Sequence, residues 1–234
     1  MAVFAISDLH LALSIDKPMD IFGDRWSNYM EKLRESWKER VTREDSVIIP
    51  GDISWATYLE QALLDFRYIE SLPGIKIISK GNHDYWWTTV RKLEQFLTSN
   101  NLKTIRFMHN NSFRIENFVL CGTRGWKCPG DEDFGTQDRK IYLRELQRLE
   151  ISLKSAAATD KEYLIAALHY PPFNSKGDPS QFVEVMKRYG VRICIYGHLH
   201  GECLKRAVSG VVEGIDFRLV SADYLNYQPL ELKT

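Results

Sequence analysis

The chain has 234 residues, 44% of them hydrophobic, which is enough for one large α/β domain, and we expect residues 1–234 to form that single domain. The 31 basic and 31 acidic residues cancel, so no surplus of positive charge indicates a nucleic acid or an anionic membrane as partner. No apolar run approaches the roughly 18 residues of a membrane span, and four cysteines without zinc-site spacing predict reduced thiols in a cytoplasmic protein.

The predicted elements alternate between short apolar strands and longer helices of 3.6-residue period, which is typical of an α/β fold. In chain order we predict strands at 3–7, 47–50, 76–79, 118–122, 163–168, 193–196 and 217–221. Helices are predicted at 29–41, 58–72, 88–97, 138–157 and 179–189. Two stretches predict antiparallel hairpins, so the later sheet should be mixed: 113–115 with 118–120, and 202–208 with 211–219. The irregular stretch 123–137 is expected to border a site.

Five polar clusters each follow one of the predicted strands. They are Asp8-Leu9-His10, Gly51-Asp52, Gly81-Asn82-His83-Asp84, His169, and Gly197-His198-Leu199-His200. Because the carboxyl ends of strands in an α/β fold meet at one crevice, the clusters should face a common point. In extended backbone, residues two apart point to the same side, which would pair Asp8 with His10 and His198 with His200. The glycines permit the sharp turns and close backbone approach that a metal site requires.

The types of side chain in these clusters favour a pair of divalent metal ions. Imidazole, carboxylate and amide oxygen together suit manganese, iron, zinc or nickel, whereas all-oxygen sites suit calcium or magnesium. Seven candidate ligands exceed what one ion ordinarily uses, but two ions that share a bridging carboxylate use them readily. Two such ions carry four positive charges, and Asp8, Asp52 and a bridging hydroxide would offset three of them. The remaining positive charge favours an anion such as phosphate.

Each cluster taken singly has an ordinary structural explanation. A Gly-Asp pair after a strand is usually a turn, and a lone histidine such as His169 is usually structural. Five of the six histidines nevertheless lie inside the ordered clusters. The joint pattern therefore predicts a site, and His109, the histidine outside it, is predicted to be a surface residue.

In these motifs the chain resembles the calcineurin-like metallophosphoesterase superfamily. The signature of that superfamily is Asp-x-His, Gly-Asp, Gly-Asn-His-Asp/Glu, a later His and Gly-His-x-His, and every part is present between residues 8 and 200. The resemblance implies a four-layer αββα sandwich, with two mixed β-sheets packed face to face and helices outside. It also implies that one metal is held by Asp8, His10, Asp52 and His200. The other would be held by Asp52, Asn82, His169 and His198, with Asp52 as the bridge.

The resemblance implies roles for two further motif residues. His83 would lie beside the leaving-group oxygen, where it stabilises charge or donates a proton. Asp84 would orient His83 or anchor the following helix. In the irregular stretch, Arg124 is a candidate substrate-binding residue, because a guanidinium can grip phosphate oxygens in a fork.

Departures from the family pattern argue against several subfamilies. The run Ile53-Ser54-Trp55-Ala56 replaces the Val-Asp-Arg-Gly-like sequence of the related protein phosphatases, so that activity is not expected. The lipid A pyrophosphohydrolases typically carry arginine where His83 stands, and the double-strand-break nucleases add DNA-binding regions. The chain is most similar to a group of small bacterial phosphohydrolases. Its aromatic residues near the clusters are expected to pack the walls of the site, although stacking on a nucleobase is the alternative: Trp55, Tyr85, Trp86 and Trp87.

The sequence therefore predicts an enzyme that hydrolyses a small phosphate ester, with a metal-bridging hydroxide as nucleophile. A phosphodiester is slightly preferred over a monoester because His10 and His83 are both present. The alternative is a non-catalytic, metal-binding interaction protein on the same fold, against which the complete set of ligands argues. The expected partner is a small phosphorylated substrate, and the sequence leaves the oligomeric state open.

Overall fold

The computed structural model describes residues 1–156 and 162–233. These residues contain eleven strands: β1 (Val3–Ala5), β2 (Ser46–Pro50), β3 (Ile75–Ser79), β4 (Ile105–Phe107), β5 (Phe113–Ile115), β6 (Phe118–Thr123), β7 (Tyr163–Leu168), β8 (Ile193–Tyr196), β9 (Gly210–Val212), β10 (Ile215–Leu219) and β11 (Leu230–Glu231). The α-helices are α1 (Tyr29–Arg40), α2 (Leu63–Ser71), α3 (Val90–Ser99), α4 (Thr136–Ser155) and α5 (Gln181–Arg188). Three short 3₁₀ helices cover Met19–Phe22, Asp24–Trp26 and Gly201–Arg206.

The strands form two mixed sheets. The first has the order β11-β1-β2-β3-β4, parallel throughout except for β11 at one edge. The second has the order β5-β6-β7-β8-β10-β9, in which the hairpin strands β5 and β9 lie antiparallel at the two edges. The parallel strands in the middle, such as β2, are buried along their whole length, as expected for a sheet covered on both faces.

The core has three parts that define the order of the layers. One hydrophobic cluster packs α1, α2 and α3 against the first sheet, and another packs α4 and α5 against the second. The third lies between the sheets, where Ala5 and Ile48 of the first share a cluster with Leu120 and Ile165 of the second. The four-layer αββα sandwich predicted from the sequence is therefore confirmed.

Most predicted elements appear within a few residues of their expected ends. The strands at Tyr163–Leu168 and Ile193–Tyr196 have the predicted bounds. The helix predicted at 58–72 begins only at Leu63, because the chain first makes a turn in which Gln61 accepts from the backbone N–H of Tyr58. The last residue of the helix predicted at 138–157 lies outside the described residues. Within them, no helix is long and apolar enough to cross a membrane.

The second predicted hairpin, 202–208 with 211–219, is wrong in its first strand and in the position of its turn. The segment predicted as a strand at 202–208 contains the 3₁₀ helix Gly201–Arg206, which has no buried residue and so offers no face to a sheet. The hairpin is formed by β9 and β10, and its turn lies at Glu213 and Gly214, both with positive φ, as a tight hairpin turn requires.

Candidate metal centre

The candidate ligands lie at the carboxyl ends of strands from both sheets. The first sheet places four of them beyond β1, β2 and β3: Asp8, His10, Asp52 and Asn82. The second places three beyond β7 and β8: His169, His198 and His200. Because the two sheets pack face to face, these ends meet at one edge of the sandwich.

Side-chain distances show that the two sets converge. The ligand atoms of Asp8, His10 and His200 lie within 4.8 Å of one another, and the same holds for Asp8, Asp52 and His169. Asp52 Oδ2 is 3.7 Å from His10 Nε2 and 3.5 Å from His169 Nε2. One oxygen of Asp52 therefore lies between a histidine of the first sheet and a histidine of the second.

Asn82 extends the cluster on the side of the second sheet. Its Oδ1 is 2.7 Å from His169 Nε2 and 2.9 Å from His198 Nδ1. The backbone N–H of His198 donates to the Asp8 carboxylate at 3.1 Å, which ties the loop after β8 to the loop after β1. All seven candidate ligands thus belong to one connected group.

The backbone at four of the seven candidate ligands is strained, not extended. Asp8, His10, Asp52 and His198 have φ values of 60°, 46°, 52° and 71°, in the left-handed region. The extended-backbone argument is therefore wrong at these positions, although Asp8 and His10 do converge. Such conformations cost roughly 1–3 kcal/mol each and persist where the surroundings over-determine them. Here the loops after β1 and β2 hold each other, since the N–H of Asp8 donates to Gly51 and that of His10 donates to Asp52.

Two glycines leave room for the carboxylates of Asp52 and Asp8 at the centre. A Cβ added at Gly81 would collide with Oδ1 of Asp52, and one at Gly197 would collide with Oδ2 of Asp8. Both glycines directly precede candidate ligands, so the close approach predicted from the sequence is present.

Two histidines are oriented by a partner on the nitrogen that faces away from the centre. The Nδ1–H of His169 donates to the carbonyl of Pro50 at 3.1 Å, which leaves the Nε2 lone pair facing the cluster. His200 Nδ1 lies 2.7 Å from Asp223 Oδ1, while its Nε2 lies 3.2 Å from Asp8. Sequence reasoning missed Asp223. The signal was available, because Asp223 also follows the end of a strand, β10.

The electrostatics of the cluster fit divalent cations. Burial lowers the pKa of His169 to about 4 and that of His198 to about 3, so both rings are neutral and carry a lone pair. Burial, followed by the charge of Asp8, raises the pKa of Asp52 well above its usual value. Burial also raises the pKa of Asp8, but the neighbouring imidazoles, His200 first, lower it by more. Two buried carboxylates that repel each other beside the neutral rings of His169 and His198 are a donor set that a cation would stabilise.

Asp84 is fully buried and holds the backbone around Asp52. Its carboxylate accepts from the N–H groups of Asp52 at 3.0 Å, Ile53 at 2.9 Å and Gly81 at 2.7 Å. Trp86 Nε1 donates to it as well, at 3.1 Å. Burial raises the pKa of Asp84 to about 6, against the lowering effect of these hydrogen bonds. The carboxylate thus joins the loops that follow β2 and β3.

His83 lies at the edge of the cluster, in the wall of a cavity of about 670 Å³. Its backbone N–H donates to Asp52 Oδ1 at 2.8 Å, and its ring centroid is 4.2 Å from that of Trp55. Burial, and next the charge of Lys17, lowers the pKa of His83. The cavity, which we call the aromatic cleft, is also lined by His10, Trp26, Trp55, His200 and Asp223.

The aromatic residues near the ligands mostly pack the walls. The Trp55 ring stacks on His10 at 4.9 Å, and the ammonium of Lys17 lies 2.9 Å from its centroid. Trp86 is buried in the core, whereas Tyr85 is 62% exposed.

Arg124 and His109 line the same cavity. The carbonyl of Arg124 accepts from the N–H of His169 at 3.0 Å, and its guanidinium is 3.6 Å from Glu145. His109 is half-buried, with its ring 6.2 Å from that of Trp87, so it lies at the surface only in part. It follows β4, a three-residue strand that the sequence pattern did not reveal, and this strand carries it inward.

Comparisons with known proteins agree with this geometry. A family model described as calcineurin-like phosphoesterase matches residues 1–202. No curated protein sequence matches the chain. A phosphopantetheinyl hydrolase from Mycobacterium tuberculosis is similar in structure, with 11% identity, a TM-score of 0.59, and coverage of 99% of this chain and 95% of that one. A protein of unknown function from Aquifex aeolicus is also similar, with 14% identity, a TM-score of 0.53, and coverage of 98% and 95%. At these identities the two structures share the fold.

Proposed function

The chain belongs to the calcineurin-like phosphoesterase family, metal-dependent phosphoric ester hydrolases, and from this premise we propose that it hydrolyses a small phosphate ester at a pair of divalent metal ions. The observation that carries the proposal is the position of Asp52 Oδ2, 3.7 Å from His10 Nε2 and 3.5 Å from His169 Nε2. A carboxylate between two sets of donors is suited to bridge two ions.

In this proposal Asp8, His10, Asp52 and His200 hold one ion. Asp52, Asn82, His169 and His198 hold the other. Neutral imidazoles, carboxylates and one amide oxygen suit manganese, iron, zinc or nickel. When bound, two such ions supply a water nucleophile of lowered pKa and neutralise the charge on the phosphate.

The surrounding residues position the ligands and the substrate. Asp84 holds the loops that carry Asp52 and Gly81 through its backbone hydrogen bonds. Asp223 keeps His200 Nε2 directed at Asp8. His83, in the wall of the aromatic cleft, stabilises or protonates the departing oxygen, because its ring faces the same cavity as His10 and His200.

The aromatic cleft supports an organic phosphate ester as substrate. Trp26 and Trp55 give it apolar walls directly beside His10 and His83. A phosphodiester carries an organic group on both sides of the phosphorus and would use these walls more fully than a monoester, which supports a slight preference for diesters.

We also propose that residues 1–234 form one domain and that the protein is cytoplasmic. β9, β10 and β11 lie beyond the matched residues 1–202, yet β9 and β10 complete the second sheet and β11 completes the first. The four cysteines are unpaired, and Cys203 is exposed, which suits a compartment that keeps thiols reduced.

The proposed function is tested with the purified full chain. Metal analysis should find about two transition-metal ions per chain. Turnover should be measured on a diester, bis(p-nitrophenyl) phosphate, and on a monoester, p-nitrophenyl phosphate, each with manganese, iron, zinc or nickel. Chelator should abolish turnover and added metal should restore it, because the water nucleophile is activated only while bound. Full activity after prolonged exchange into chelator would overturn the mechanism.

Asp52→Asn should be the most damaging change of a ligand, since the proposed bridge serves both ions. The expected result is loss of both metal content and turnover, and the matched control Asp16→Asn, at an exposed aspartate, should leave both unchanged. Metal analysis and steady-state rates on the same samples check this. Normal values of both for Asp52→Asn would show that Asp52 does not bridge the ions.

A further inference from the structure

A second cavity, of about 480 Å³, lies beside the candidate metal centre and is lined by an unusual number of cations. Its walls include Lys80, Arg124, Arg144 and Arg148, and we call it the basic pocket. Its volume is within the range of small-molecule sites.

The basic pocket shares a wall with the metal centre. Lys80 directly precedes Gly81 and Asn82 in the loop after β3. The carbonyl of Arg124, beyond β6, accepts from the N–H groups of His169 at 3.0 Å and of Tyr170 at 2.9 Å. A ligand that spans this wall could place one group at the metal centre and another in the pocket.

Glu145 is the one carboxylate among the residues that line the pocket. Its Oε1 lies 2.8 Å from Arg148 Nη1, 3.6 Å from Arg124 Nη2 and 3.7 Å from Arg144 Nε. Four cations against one carboxylate leave a surplus of three positive charges, in a chain whose total charge is zero. Neutralising Glu145 would require only one of these cations.

Two of these cations are partly buried. The side chain of Arg124 is 14% exposed and that of Arg148 is 34% exposed. Partly buried cations that repel one another are costly unless an anion joins them.

The walls also contain hydrogen-bond donors that have no partner in the described part of the chain. They are Ser79 Oγ, Trp87 Nε1 and Arg124 Nε, and all three residues line the basic pocket. Buried donors are nearly always satisfied in folded proteins, so three in the wall of one cavity point to a ligand that accepts hydrogen bonds.

We propose that the basic pocket binds a second phosphate group of the substrate, so that the preferred substrates carry two phosphates, one at the metal centre and one among Lys80, Arg124 and Arg148. Guanidinium groups form forked, charge-assisted hydrogen bonds with phosphate oxygens, which suits this assignment. The inference rests on the proposed function, because the first phosphate is the one hydrolysed at the metals.

The kinetic test uses two chromogenic diesters that differ by one phosphate: the p-nitrophenyl ester of thymidine 5′-phosphate, with and without a 3′-phosphate. The holoenzyme should show a kcat/KM about 10–100-fold higher for the 3′-phosphorylated ester, mainly through a lower KM, since hydrogen bonds to charged groups are strong.

The variants Arg148→Gln and Lys80→Gln should each reduce this ratio of kcat/KM values about tenfold or more. Arg139→Gln, at an exposed arginine on the same helix, is the matched control and should keep the ratio. An equal ratio in Arg148→Gln and the control would overturn the proposal.

Calorimetry with inorganic phosphate separates failure of the pocket from failure of the proposed function. The holoenzyme should bind two phosphates. Arg148→Gln should bind only the phosphate at the metal centre, and Asp52→Asn should bind only the phosphate that depends on Arg148. If no ester is hydrolysed but the Arg148-dependent phosphate is bound, the proposed function fails and the anion site stands. If esters are hydrolysed and phosphate binding does not depend on Arg148, the pocket assignment fails. Arg148-dependent binding with no preference for the 3′-phosphorylated ester would show an anion site that is not part of the substrate site.

Discussion

His83 differs from His169 and His200 in how its ring is held. His169 is oriented by the carbonyl of Pro50 and His200 by Asp223, each through Nδ1. The Nδ1 of His83 has no partner among residues 1–156 and 162–233, and its ring rests on Trp55. Its backbone, in contrast, is bonded to Asp52. With its backbone fixed and its ring in the wall of the aromatic cleft, His83 is placed to act on a substrate.

His83→Ala should therefore keep both metal ions and the fold. Its turnover should fall by about 10²–10⁴-fold, the usual contribution of a positioned acid or base. The loss should be large for esters with an alkoxide leaving group and small for p-nitrophenyl esters, because p-nitrophenolate departs without a proton. Steady-state rates on both ester types, with metal analysis of the same sample, check this. An equal loss on both types, or a loss of metal, would mean that His83 shapes the site and does not protonate the leaving group.

At the scale of the elements, β3 carries a charge into the interior. Lys76 lies in the middle of the first sheet with no exposed surface, and its ammonium donates to the carbonyl of Leu72 at 2.6 Å. Burial lowers the pKa of Lys76 to about 8, and Glu70 opposes this only in part. The pKa of Lys76 is therefore lower in the folded chain than its value of 10.5 in the unfolded chain. Between about pH 8 and 10.5 the unfolded chain still has this proton bound, whereas the folded chain has largely released it. Stability from this residue therefore rises with pH in that window.

Comparison with Lys76→Met isolates this effect. The free energy of unfolding of the native chain, relative to that of the variant, should increase by about 1–3 kcal/mol between pH 7 and pH 10. Urea denaturation at several pH values measures it. The control Lys38→Met, at an exposed lysine of α1, should show no such change. A difference that stayed constant with pH, or fell, would contradict the shifted pKa.

At the scale of the whole molecule, the candidate centre joins the two sheets. Asp8, Asp52 and Asn82 come from the first sheet, and His169 and His198 from the second. Burial and the charge of Asp8 raise the pKa of Asp52, so the carboxylates repel each other where the sheets meet. Cations at this point would relieve the repulsion and link the two halves of the sandwich.

Metal removal should consequently lower the stability of the entire fold. With free metal at about 100 times its Kd, bound metal contributes about 2.7 kcal/mol, which for a chain of this size corresponds to a Tm lower by roughly 5–11 °C after chelation. Differential scanning calorimetry before and after chelation, with readdition of metal, measures the shift. The same chelator should hardly move the Tm of Asp52→Asn. An unchanged Tm in the native chain after its metal is shown to be gone would contradict the linkage between the sheets.

The sequence by itself determined the strands of the interior and the identity of the clustered ligand candidates. Continuous apolar runs such as 163–168 are local signals, since a strand buried on both faces must be apolar along its length. Polar residues directly after such runs fall at strand ends, which meet at one edge of a sheet. That rule brought Asp8, Asp52 and His169 together without knowledge of any contact.

Only the tertiary structure decided the features that depend on partners distant in the chain. β4 and β11 are three and two residues long, and pairing with β3 and β1 makes them strands. The left-handed backbone at the ligands is imposed by hydrogen bonds between neighbouring loops, which no local pattern encodes. The pairing of Asp223 with His200 and the gathering of Lys80 with Arg124 and Arg148 likewise arise from strand order and helix packing. A residue's neighbours across layers are set by the packing of the whole chain, and so its contacts appear only when the fold is complete.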